Sequence, residues 1–418
     1  MDFYQHIRPV LFRLDPEIAH RAALFGLEIT RHLGVRPGLV EKPTSVMGLR
    51  FPNPVGLAAG FDKNGRYIEA LSQLGFGFIE IGTVTPLPQR GNPRPRLFRI
   101  PEAEALINRM GFNNAGAETV FANIARAKCN AVVGVSIGKN ATTPIDNALN
   151  DYLTCYRRAY KFAGYVAVNI SSPGTKHLRR LQEPEHLTRL LRELKAEQNK
   201  LAEKHDRYVP LVVKVALDFD SLELRTISEI LVDHRVDGII ATNTTLSREE
   251  VKGLPRADEA GGLSGVPLRE RALDVLREIN EYVEGRIPLI ASGGIMNAED
   301  AQARMDAGAS LVQVYTGLVY KGPALIKELL HGVQVRTTPE NHRLTSSSSR
   351  LPKVSRFLLS QKCAPLLPAA DEGVSAPRKA WRIWSGESPG MERVNHPRLP
   401  SVAPLAERCF GHRRLEHA

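Results

Sequence analysis

The fold is decided by FIEIGTVT at 78–85, AVVGVSIG at 131–138 and YVAVNISS at 165–172. Each run is short, rich in Val and Ile, and ends in polar residues, which is typical of a parallel strand buried on both faces. Eight such units, most with a helical segment between them, predict an α/β fold, a (β/α)8 TIM barrel, whose active site lies at the carboxyl ends of the strands. The other five runs are PVGLAAG at 54–60, PLVVKVAL at 210–217, GIIATNT at 238–244, PLIASGG at 288–294 and LVQVYTG at 311–317.

The chain is longer than one barrel requires. It has 418 residues, 43% hydrophobic and 24% charged, with a net charge of +11, whereas a barrel takes roughly 250 residues. From Thr337 onward 13 Lys and Arg stand against seven Asp and Glu, with four serines at 346–349 and many prolines. We therefore predict a disordered basic tail over 337–418. The barrel region shows no basic helix face, so we expect no nucleic-acid partner.

Residues 1–45 form a separate N-terminal piece, before a barrel predicted over 46–336. Apolar residues recur at helical spacing before and after Asp15-Pro16, a pair that suits a helix N-cap followed by proline in the first turn. We predict two short amphipathic helices, which either pack on the barrel or turn an apolar face toward a membrane or an apolar ligand. The sequence has no run of about 18 apolar residues that would span a membrane, and no secretory signal pattern.

Several shorter features complete the predicted architecture. Segments 46–52 and 95–112 indicate β-hairpins, the first closing the bottom of the barrel and the second on its catalytic side. The Gly-rich segment 261–265 indicates a turn before the helix that follows strand six, and Ser221 and Asn297 are plausible helix N-caps. The four cysteines are far apart and lack CxxC spacing, so we expect reduced thiols and no metal site.

The residues at the strand ends suggest the chemistry. The glycines of 292–294 and 315–317 follow strands seven and eight, where barrels often bind a phosphate through backbone N–H groups. Lys214 lies inside an apolar strand and Lys63 follows the first strand, which indicates electron-rich ligand groups, because a buried lysine needs a polar partner. Ser172, with no neighbouring histidine, suggests proton transfer rather than acyl-enzyme chemistry. Amides that suit a planar, multiply hydrogen-bonding ligand are Asn108, Asn113, Asn169 and Asn243.

These residues together resemble the quinone-dependent, class 2 dihydroorotate dehydrogenases. The resemblance runs from about Asp2 to His331, and a serine at 172, where class 1 enzymes use cysteine, favours class 2. The N-terminal LFRLDPEIAH at 11–20 is similar to the membrane-facing helical extension of that class. The motifs that carry it are GLAAGFDKNG at 56–65, EIGTVTPLPQRGNPRPRLFR at 80–99, INRMGFNN at 107–114, NISSPGT at 169–175, ATNTT at 241–245, GGLSG at 261–265 and YTGLVYKGP at 315–323.

The resemblance implies bound FMN, oxidation of dihydroorotate to orotate, and electron delivery to a membrane quinone in pyrimidine biosynthesis. Ser172 would remove the C5 proton while hydride passes from C6 to the flavin N5, and His20 and Arg99 would lie near a quinone tunnel. The substrate would contact Lys63, Asn108, Arg109, Met110, Gly111, Phe112, Asn169, Asn243 and Thr244. FMN would contact Ala59, Gly60, Phe61, Asp62, Lys63, Thr83, Ser136, Asn169, Lys214 and Thr242. Its phosphate would contact Gly265, Gly294, Tyr315 and Thr316.

Two positions depart from the family pattern. The family usually has asparagine at the positions of Ser136, where it contacts flavin, and Gly174, where it binds substrate. Losing one hydrogen bond to a charged ligand costs roughly 1.5–3 kcal/mol, so we expect a weakened but active enzyme.

Two alternative functions are also compatible with these residues. One is a related FMN barrel with a soluble acceptor, and another is a catalytically impaired FMN-binding protein. The main expectation is an enzyme associated peripherally with the cytoplasmic face of a bacterial-type cell membrane.

Overall fold

A computed structural model describes residues 3–34, 40–175 and 177–334. The predicted tail at 337–418 lies outside the described residues. The strands are β1 (Thr44–Val46), β2 (Leu49–Phe51), β3 (Val55–Leu57), β4 (Phe78–Val84), β5 (Leu97–Ile100), β6 (Ala105–Asn108), β7 (Val132–Ile137), β8 (Tyr165–Asn169), β9 (Leu211–Lys214), β10 (Gly238–Ala241), β11 (Gly262–Gly265), β12 (Leu289–Ser292) and β13 (Ala309–Val314). The α-helices are α1 (Phe3–Arg13), α2 (Pro16–His32), α3 (Ile68–Ser72), α4 (Gly116–Arg126), α5 (Ala148–Ala159), α6 (Pro184–His205), α7 (Ser221–Asp233), α8 (Arg269–Val283), α9 (Ala298–Asp306), α10 (Thr316–Lys321) and α11 (Ala324–Gly332).

Eight parallel strands close into a barrel in the order β10, β12, β13, β3, β4, β7, β8, β9. Each of them comes from one of the eight apolar runs, so the predicted (β/α)8 barrel is confirmed. The runs form strands because both faces are covered: every residue of β4 and β8 is buried. Parallel pairing then brings all carboxyl ends to one rim, where Asn169 of β8 stands beside Lys214 of β9.

A hairpin closes the opposite end of the barrel. Strands β1 and β2 pair antiparallel, and their Val46 and Phe51 pack against Phe78 and Tyr165 inside the barrel. The ring of Phe51 meets that of Phe78 edge-on at 5.5 Å. This apolar plug confirms the prediction for 46–52 and leaves the carboxyl rim as the open end.

The rim carries a three-stranded antiparallel sheet in the order β11, β6, β5. The hairpin predicted within 95–112 is confirmed as β5 and β6, but the prediction that 261–265 is only a turn was wrong. Residues Gly262–Gly265 form β11 because they find an open edge on β6, more than 150 residues earlier in the chain. Glycine is required at 262, where a Cβ would lie 2.0 Å from the Thr244 hydroxyl oxygen.

The two N-terminal helices are present as predicted and pack on the rim. Asp15 caps α2 by accepting hydrogen bonds from the amides of Glu17 and Ile18, with Pro16 in the first turn. Arg8 of α1 donates to the carbonyl of Tyr320 in α10 at 2.9 Å. Glu17 of α2 pairs with Arg96, just before β5, at 2.8 Å. Both helices are therefore held at the same end of the barrel as the strand termini.

Two predicted N-caps had different outcomes. Asn297 caps α9 by accepting from the amide of Asp300, as expected. Ser221 does not cap α7, because the preceding residue, Asp220, has the extended backbone and forms a capping box with Glu223. Either residue type suits an N-cap, and the backbone dihedral angles decide between two neighbours.

Candidate active site

One cavity opens at the carboxyl rim of the barrel, beneath the three-stranded sheet. Its empty volume, counted out to the open mouth and including solvent space, is about 1110 Å³. It is lined by most of the residues that the strand ends predicted or that the family resemblance implied, and these come from distant parts of the chain. These are Ala59, Gly60, Lys63, Thr83, Asn108, Met110, Gly111, Phe112, Asn169, Ser172, Lys214, Thr242, Asn243, Thr244, Gly265, Gly294, Tyr315 and Thr316.

Lys214 ends β9 and lines the floor of the cavity. Only 7% of the residue is exposed, and its ammonium group makes no hydrogen bond to any residue that the structure describes. Burial lowers the pKa of Lys214, an effect opposed by the charge of Glu80. An unpaired cation in such a place favours a ligand that brings electron-rich oxygen or nitrogen atoms.

Lys63 lies at the other side of the cavity, in the loop after β3. Its Nζ donates to the carbonyl of Gly60 at 2.6 Å, which directs the amine across the loop. The pKa of Lys63 is lowered to about 8, mainly by burial; the attraction of Glu17 and Asp62 opposes this lowering, and the Arg96 guanidinium contributes to it. The amine is therefore charged at neutral pH but lies close to its titration range.

Side-chain amides and hydroxyls form a connected chain along one wall. Asn243 Nδ2 donates to the hydroxyl oxygen of Ser171 at 2.9 Å, and Asn169 Nδ2 donates to Thr83 Oγ1 at 2.8 Å. Thr83 Oγ1 and Ser136 Oγ are 2.9 Å apart. These bonds fix each amide in one orientation, so the wall presents defined donors and acceptors to a flat ligand.

Ser172 follows this wall directly, in the loop after β8. It is half-buried and lines the cavity. Its hydroxyl makes no hydrogen bond within the described ranges, and none of the described histidines contacts it. The geometry therefore lacks the Ser–His pairing of acyl-enzyme chemistry and is compatible with proton transfer to a substrate in the cavity.

The far end of the cavity is formed by glycine-bearing turns. Gly265 and Gly294 have positive φ angles of 105° and 67°, which L side chains rarely adopt. A Cβ at Gly294 would lie 2.4 Å from the Cα of Arg269. Thr316 Oγ1 donates to the hydroxyl oxygen of Ser264 at 2.8 Å. The backbone of Gly265 and Gly294 and the Thr316 hydroxyl line this end of the cavity, and backbone N–H groups and hydroxyls so placed suit a phosphate.

Several predicted site residues do not line the cavity. Asp62 is buried, and its carboxylate accepts from the amides of Asn64, Arg66 and Tyr67. Burial raises its pKa, against these hydrogen bonds. Asp62 therefore shapes the loop that carries Lys63.

The Arg109 side chain also points away from the cavity. It pairs with Glu259 at 2.8 Å and lies over the Phe98 ring at 4.5 Å. Ser136 is completely buried behind Thr83. Both residues thus support the cavity wall from behind.

Aromatic contacts link helix α2 to the cavity. His20 Nε2 bonds the carbonyl of Phe61 at 2.8 Å, and the His20 ring meets the Phe61 ring edge-on at 4.8 Å. The Phe61 ring meets that of Tyr315, which lines the cavity, at 5.4 Å. Burial lowers the pKa of His20 to about 4, and the nearby Lys63 adds to this, so His20 is neutral at physiological pH.

Arg99 lies on β5 against helix α1. Its guanidinium donates to the carbonyl of Leu14 at 2.9 Å and covers the Phe12 ring at 4.7 Å. Burial lowers its pKa. Arg99 thus ties the N-terminal helices to the rim sheet.

Sequence reasoning missed a buried polar cluster beneath the cavity floor. Glu80 of β4 accepts from Tyr165 at 2.9 Å and from Gln313 at 2.8 Å, and Gln313 lines the cavity. All three residues lie in apolar strands. The signal that singled out Lys214, a polar residue inside a buried strand, would also have found Glu80.

The described residues contain no group of three or more His, Cys, Asp or Glu side chains that could hold a metal ion. Among those same residues, no helix is both long and apolar enough to cross a bilayer.

Comparison with known proteins identifies the family of the chain. A family model described as dihydroorotate dehydrogenase matches residues 42–336. The chain is 53% identical over 337 residues to a dihydroorotate dehydrogenase (quinone) of Nitrosomonas eutropha, covering 80% of this chain and 98% of that relative. It is 54% identical over 331 residues to a dihydroorotate dehydrogenase (quinone) of Acinetobacter baumannii, covering 79% of this chain and 99% of that relative.

A solved structure is also similar. The crystal structure of DHODH from Eimeria tenella in complex with ferulenol has a TM-score of 0.70 and 37% identity, covering 76% of this chain and 90% of that one. Both the sequence and the fold are therefore shared over the whole barrel, and the chain belongs to the dihydroorotate dehydrogenase family of flavin-dependent oxidoreductases.

Proposed function

We propose that this chain oxidises (S)-dihydroorotate to orotate, with FMN in the cavity and a membrane quinone as final electron acceptor, in de novo pyrimidine synthesis. The observation that carries the proposal is the convergence of Lys63, Lys214 and Ser172 with three oriented amides on one cavity. Relatives that are 53–54% identical over about four fifths of this chain are named dihydroorotate dehydrogenase (quinone). A binding protein would need neither a proton acceptor nor a second lysine for a substrate carboxylate.

The residues present fit FMN. Lys214 brings a buried ammonium without a hydrogen-bond partner in the described part of the chain, which suits the electron-rich edge of an isoalloxazine ring. The glycine turns at Gly265 and Gly294, with Tyr315 and Thr316, suit the phosphate at the far end. Ala59, Gly60, Thr83, Asn169 and Thr242 line the wall between these two ends. FMN, when bound, supplies the two-electron acceptor that the side chains of this protein lack.

The substrate would lie between the flavin and the loop that carries Ser172. Lys63 is proposed to pair with its carboxylate, and the amides of Asn108, Asn169 and Asn243 to bond its ring. Thr244 and the 110–112 segment complete the enclosure. These groups hold a planar, charged pyrimidine in one orientation relative to the cavity floor, which is the positioning that the reaction requires.

Ser172 is proposed to take the C5 proton. A serine hydroxyl is a weak base, so it must pass its own proton on as it accepts one. Its oxygen makes no hydrogen bond to a described residue, which leaves it available to the substrate and to water. Ser171 is not suited to this role, since it is completely buried and does not line the cavity.

Residues 1–45 are proposed to form a membrane and quinone module on the barrel of 46–336, docked on the cytoplasmic face of the membrane. Large apolar side chains are exposed along α2, and Phe25 is 63% exposed. An exposed apolar helix face suits a bilayer surface. His20 and Arg99 line the two sides of the contact between this module and the barrel. The large apolar residues exposed on this N-terminal module are Val10, Leu14, Ile18, Phe25, Ile29 and Leu33.

The decisive test is anaerobic mixing of the purified yellow protein with dihydroorotate while flavin absorbance is followed. We expect rapid bleaching, and a much slower reaction in Ser172→Ala with the same flavin content. A wild-type protein that stays oxidised would refute the proposed reaction and favour a flavin-binding role. The extracted flavin is identified by its phosphate, which separates FMN from other flavins.

The acceptor is tested in a second half-reaction. Reoxidation of the reduced protein is compared with a quinone, fumarate and NAD, and we expect quinone to be much faster. Deletion of residues 1–40 should abolish quinone reduction and spare reduction by dihydroorotate. Phe25→Ser, a milder change on the exposed face of α2, should weaken vesicle binding without affecting the first half-reaction. Loss of both half-reactions on deletion would mean that the segment is structural.

A further inference from the structure

Three loops at the carboxyl rim meet at one ion pair. Arg179, in the 3-10 turn Leu178–Gln182, donates through Nη1 to Asp218 Oδ2 at 2.6 Å. Asp218 follows β9, whereas Arg179 follows β8. Their side chains are only 25% and 23% exposed, so the pair is better shielded than an ordinary surface ion pair.

The same guanidinium reaches two backbone carbonyls. Arg179 Nε donates to the carbonyl of Ser171 at 3.3 Å, and Nη2 donates to the carbonyl of Thr244 at 3.2 Å. Ser171 directly precedes Ser172, and Thr244 lines the cavity. One planar group therefore ties together the backbone at the proposed base and the backbone at a proposed substrate residue.

Asp218 is itself fixed from the opposite side. It accepts hydrogen bonds from the Thr245 hydroxyl and, at 3.1 Å, from the amide of Leu246. Thr245 in turn pairs through its backbone with Leu263 of β11. The carboxylate is thus a rigid anchor, and it sets the plane in which the guanidinium lies.

We propose that Arg179 and Asp218 form a latch that positions Ser172 over the substrate by holding the loops after β8, β9 and β10 in one arrangement. The inference rests on the proposed function, in which Ser172 takes the substrate proton. Arg179 touches neither the cavity nor the reacting atoms, so it is a positioning residue.

The loop needs such an anchor. After Ser172 come Pro173 and Gly174, and the loop later passes through His177, whose φ of 58° is disfavoured for a side chain of this size. On its other side the loop is held by Asn92, which donates to the carbonyl of Gly174 at 2.9 Å. Arg179 connects the backbone of this loop directly to the strand ends that bind the substrate. Asn243, which donates to the Ser171 hydroxyl, is a second link, made through a side chain.

Arginine is specifically suited to this task. Its fork donates in three directions within one plane, whereas lysine is a point charge that cannot serve a carboxylate and two carbonyls in fixed geometry. Loss of the fork would let Ser172 shift while the amides on the barrel strands stay in place. The rate constant of the chemical step should then fall by a larger factor than the affinity for the substrate.

The experiment compares Arg179→Ala, Arg179→Lys and Asp218→Asn in the full-length flavin-loaded protein. Anaerobic stopped-flow gives the rate constant of flavin reduction at saturating dihydroorotate, and orotate titration of the flavin spectrum gives Kd. Since a misplacement of about 1 Å can cost about 100-fold in rate, we expect Arg179→Ala to lower the rate constant about 10- to 100-fold. Kd for orotate should stay within about threefold.

Further readouts separate positioning from a loss of structure. Arg179→Lys should have an intermediate rate, and added guanidinium ion at low concentration should partly restore Arg179→Ala. The double variant should be no slower than the worse single one, because the two residues act as a unit. Arg277→Ala, which breaks an exposed Arg–Asp pair on α8, is the matched control and should match the wild type.

The outcomes distinguish a failure of the latch from a failure of the proposed function on which it rests. If dihydroorotate does not bleach the flavin of the wild-type protein, the proposed function is wrong, and the positioning role of Arg179 and Asp218 is refuted with it. If the wild type bleaches and all three variants reduce flavin at the wild-type rate, only the latch is refuted. A change in orotate affinity without a change in rate would also refute it. If Arg179→Ala does not retain flavin, Arg179→Lys and Asp218→Asn decide by the same criteria.

Discussion

Orotate binding should weaken as the pH rises through about 8, because the ammonium group proposed to hold the orotate carboxylate titrates there. Burial lowers the pKa of Lys63 to about 8, so the amine is charged below this pH and neutral above it. The attraction is therefore fully present at pH 6 to 7 and is lost at higher pH. If only the charged amine binds, the apparent Kd doubles at the pKa and is about tenfold higher at pH 9 than at pH 7, a difference of about 1.4 kcal/mol.

The assay is titration of the oxidised protein with orotate at a series of pH values, followed by the flavin spectrum. Lys63→Arg is the matched control, since a guanidinium stays charged throughout this range, and its Kd should be nearly constant. Any dependence that comes from the ligand or the flavin persists in this variant and is subtracted. A wild-type Kd that is flat between pH 7 and 9, or as steep in Lys63→Arg, would refute the role of the Lys63 charge.

Three further substitutions have defined outcomes. Gly174→Asn should lower KM for dihydroorotate at least several-fold, because a Cβ at this position would make ordinary 3.5 Å contacts with the Arg109 backbone and the added amide can reach the substrate. Tyr165→Phe should lower the free energy of unfolding by about 1–3 kcal/mol, since it removes a donor from the buried Glu80 carboxylate. Asp15→Ala should destabilise the start of α2 by about 1 kcal/mol through loss of its cap.

Each of these has its own control and its own failure. An unchanged kcat/KM in Gly174→Asn would mean that the missing side chain does not limit substrate binding. For the two stability changes, denaturant unfolding of the flavin-loaded protein is measured beside Tyr208→Phe and Asp220→Ala. Tyr208 is a half-exposed tyrosine and Asp220 an N-cap on another helix. A Tyr165→Phe variant no less stable than Tyr208→Phe would contradict the reasoning.

The barrel was predictable because its signal is local and repeated. A run such as FIEIGTVT can be buried on both faces only as a central parallel strand, and eight of them leave few other folds. The same rule assigned Lys214, Asn169 and Ser172 to one rim without any knowledge of contacts. The described structure brings these residues together on one cavity.

The predictions of local structure failed where contacts with residues distant in sequence determine the conformation. Gly262–Gly265 looks like a turn from its composition, and it becomes a strand because the edge of β6 is free beside it. Asp220 and Ser221 are both suitable N-caps, and the chain path into α7 selects the first. In each case the local preference was weak and packing made the choice.

The sequence by itself thus determined the barrel, the end at which its chemistry lies, the set of lysines, amides and serine there, and the family. Only the tertiary structure decided that the Lys214 ammonium has no hydrogen-bond partner among the described residues, that the Lys63 pKa lies near 8, and that Arg179 bonds Asp218 and two loop carbonyls. The physical reason is that strand burial follows from neighbours along the chain. Charge pairing, desolvation and hydrogen-bond geometry depend instead on distances between segments far apart in sequence.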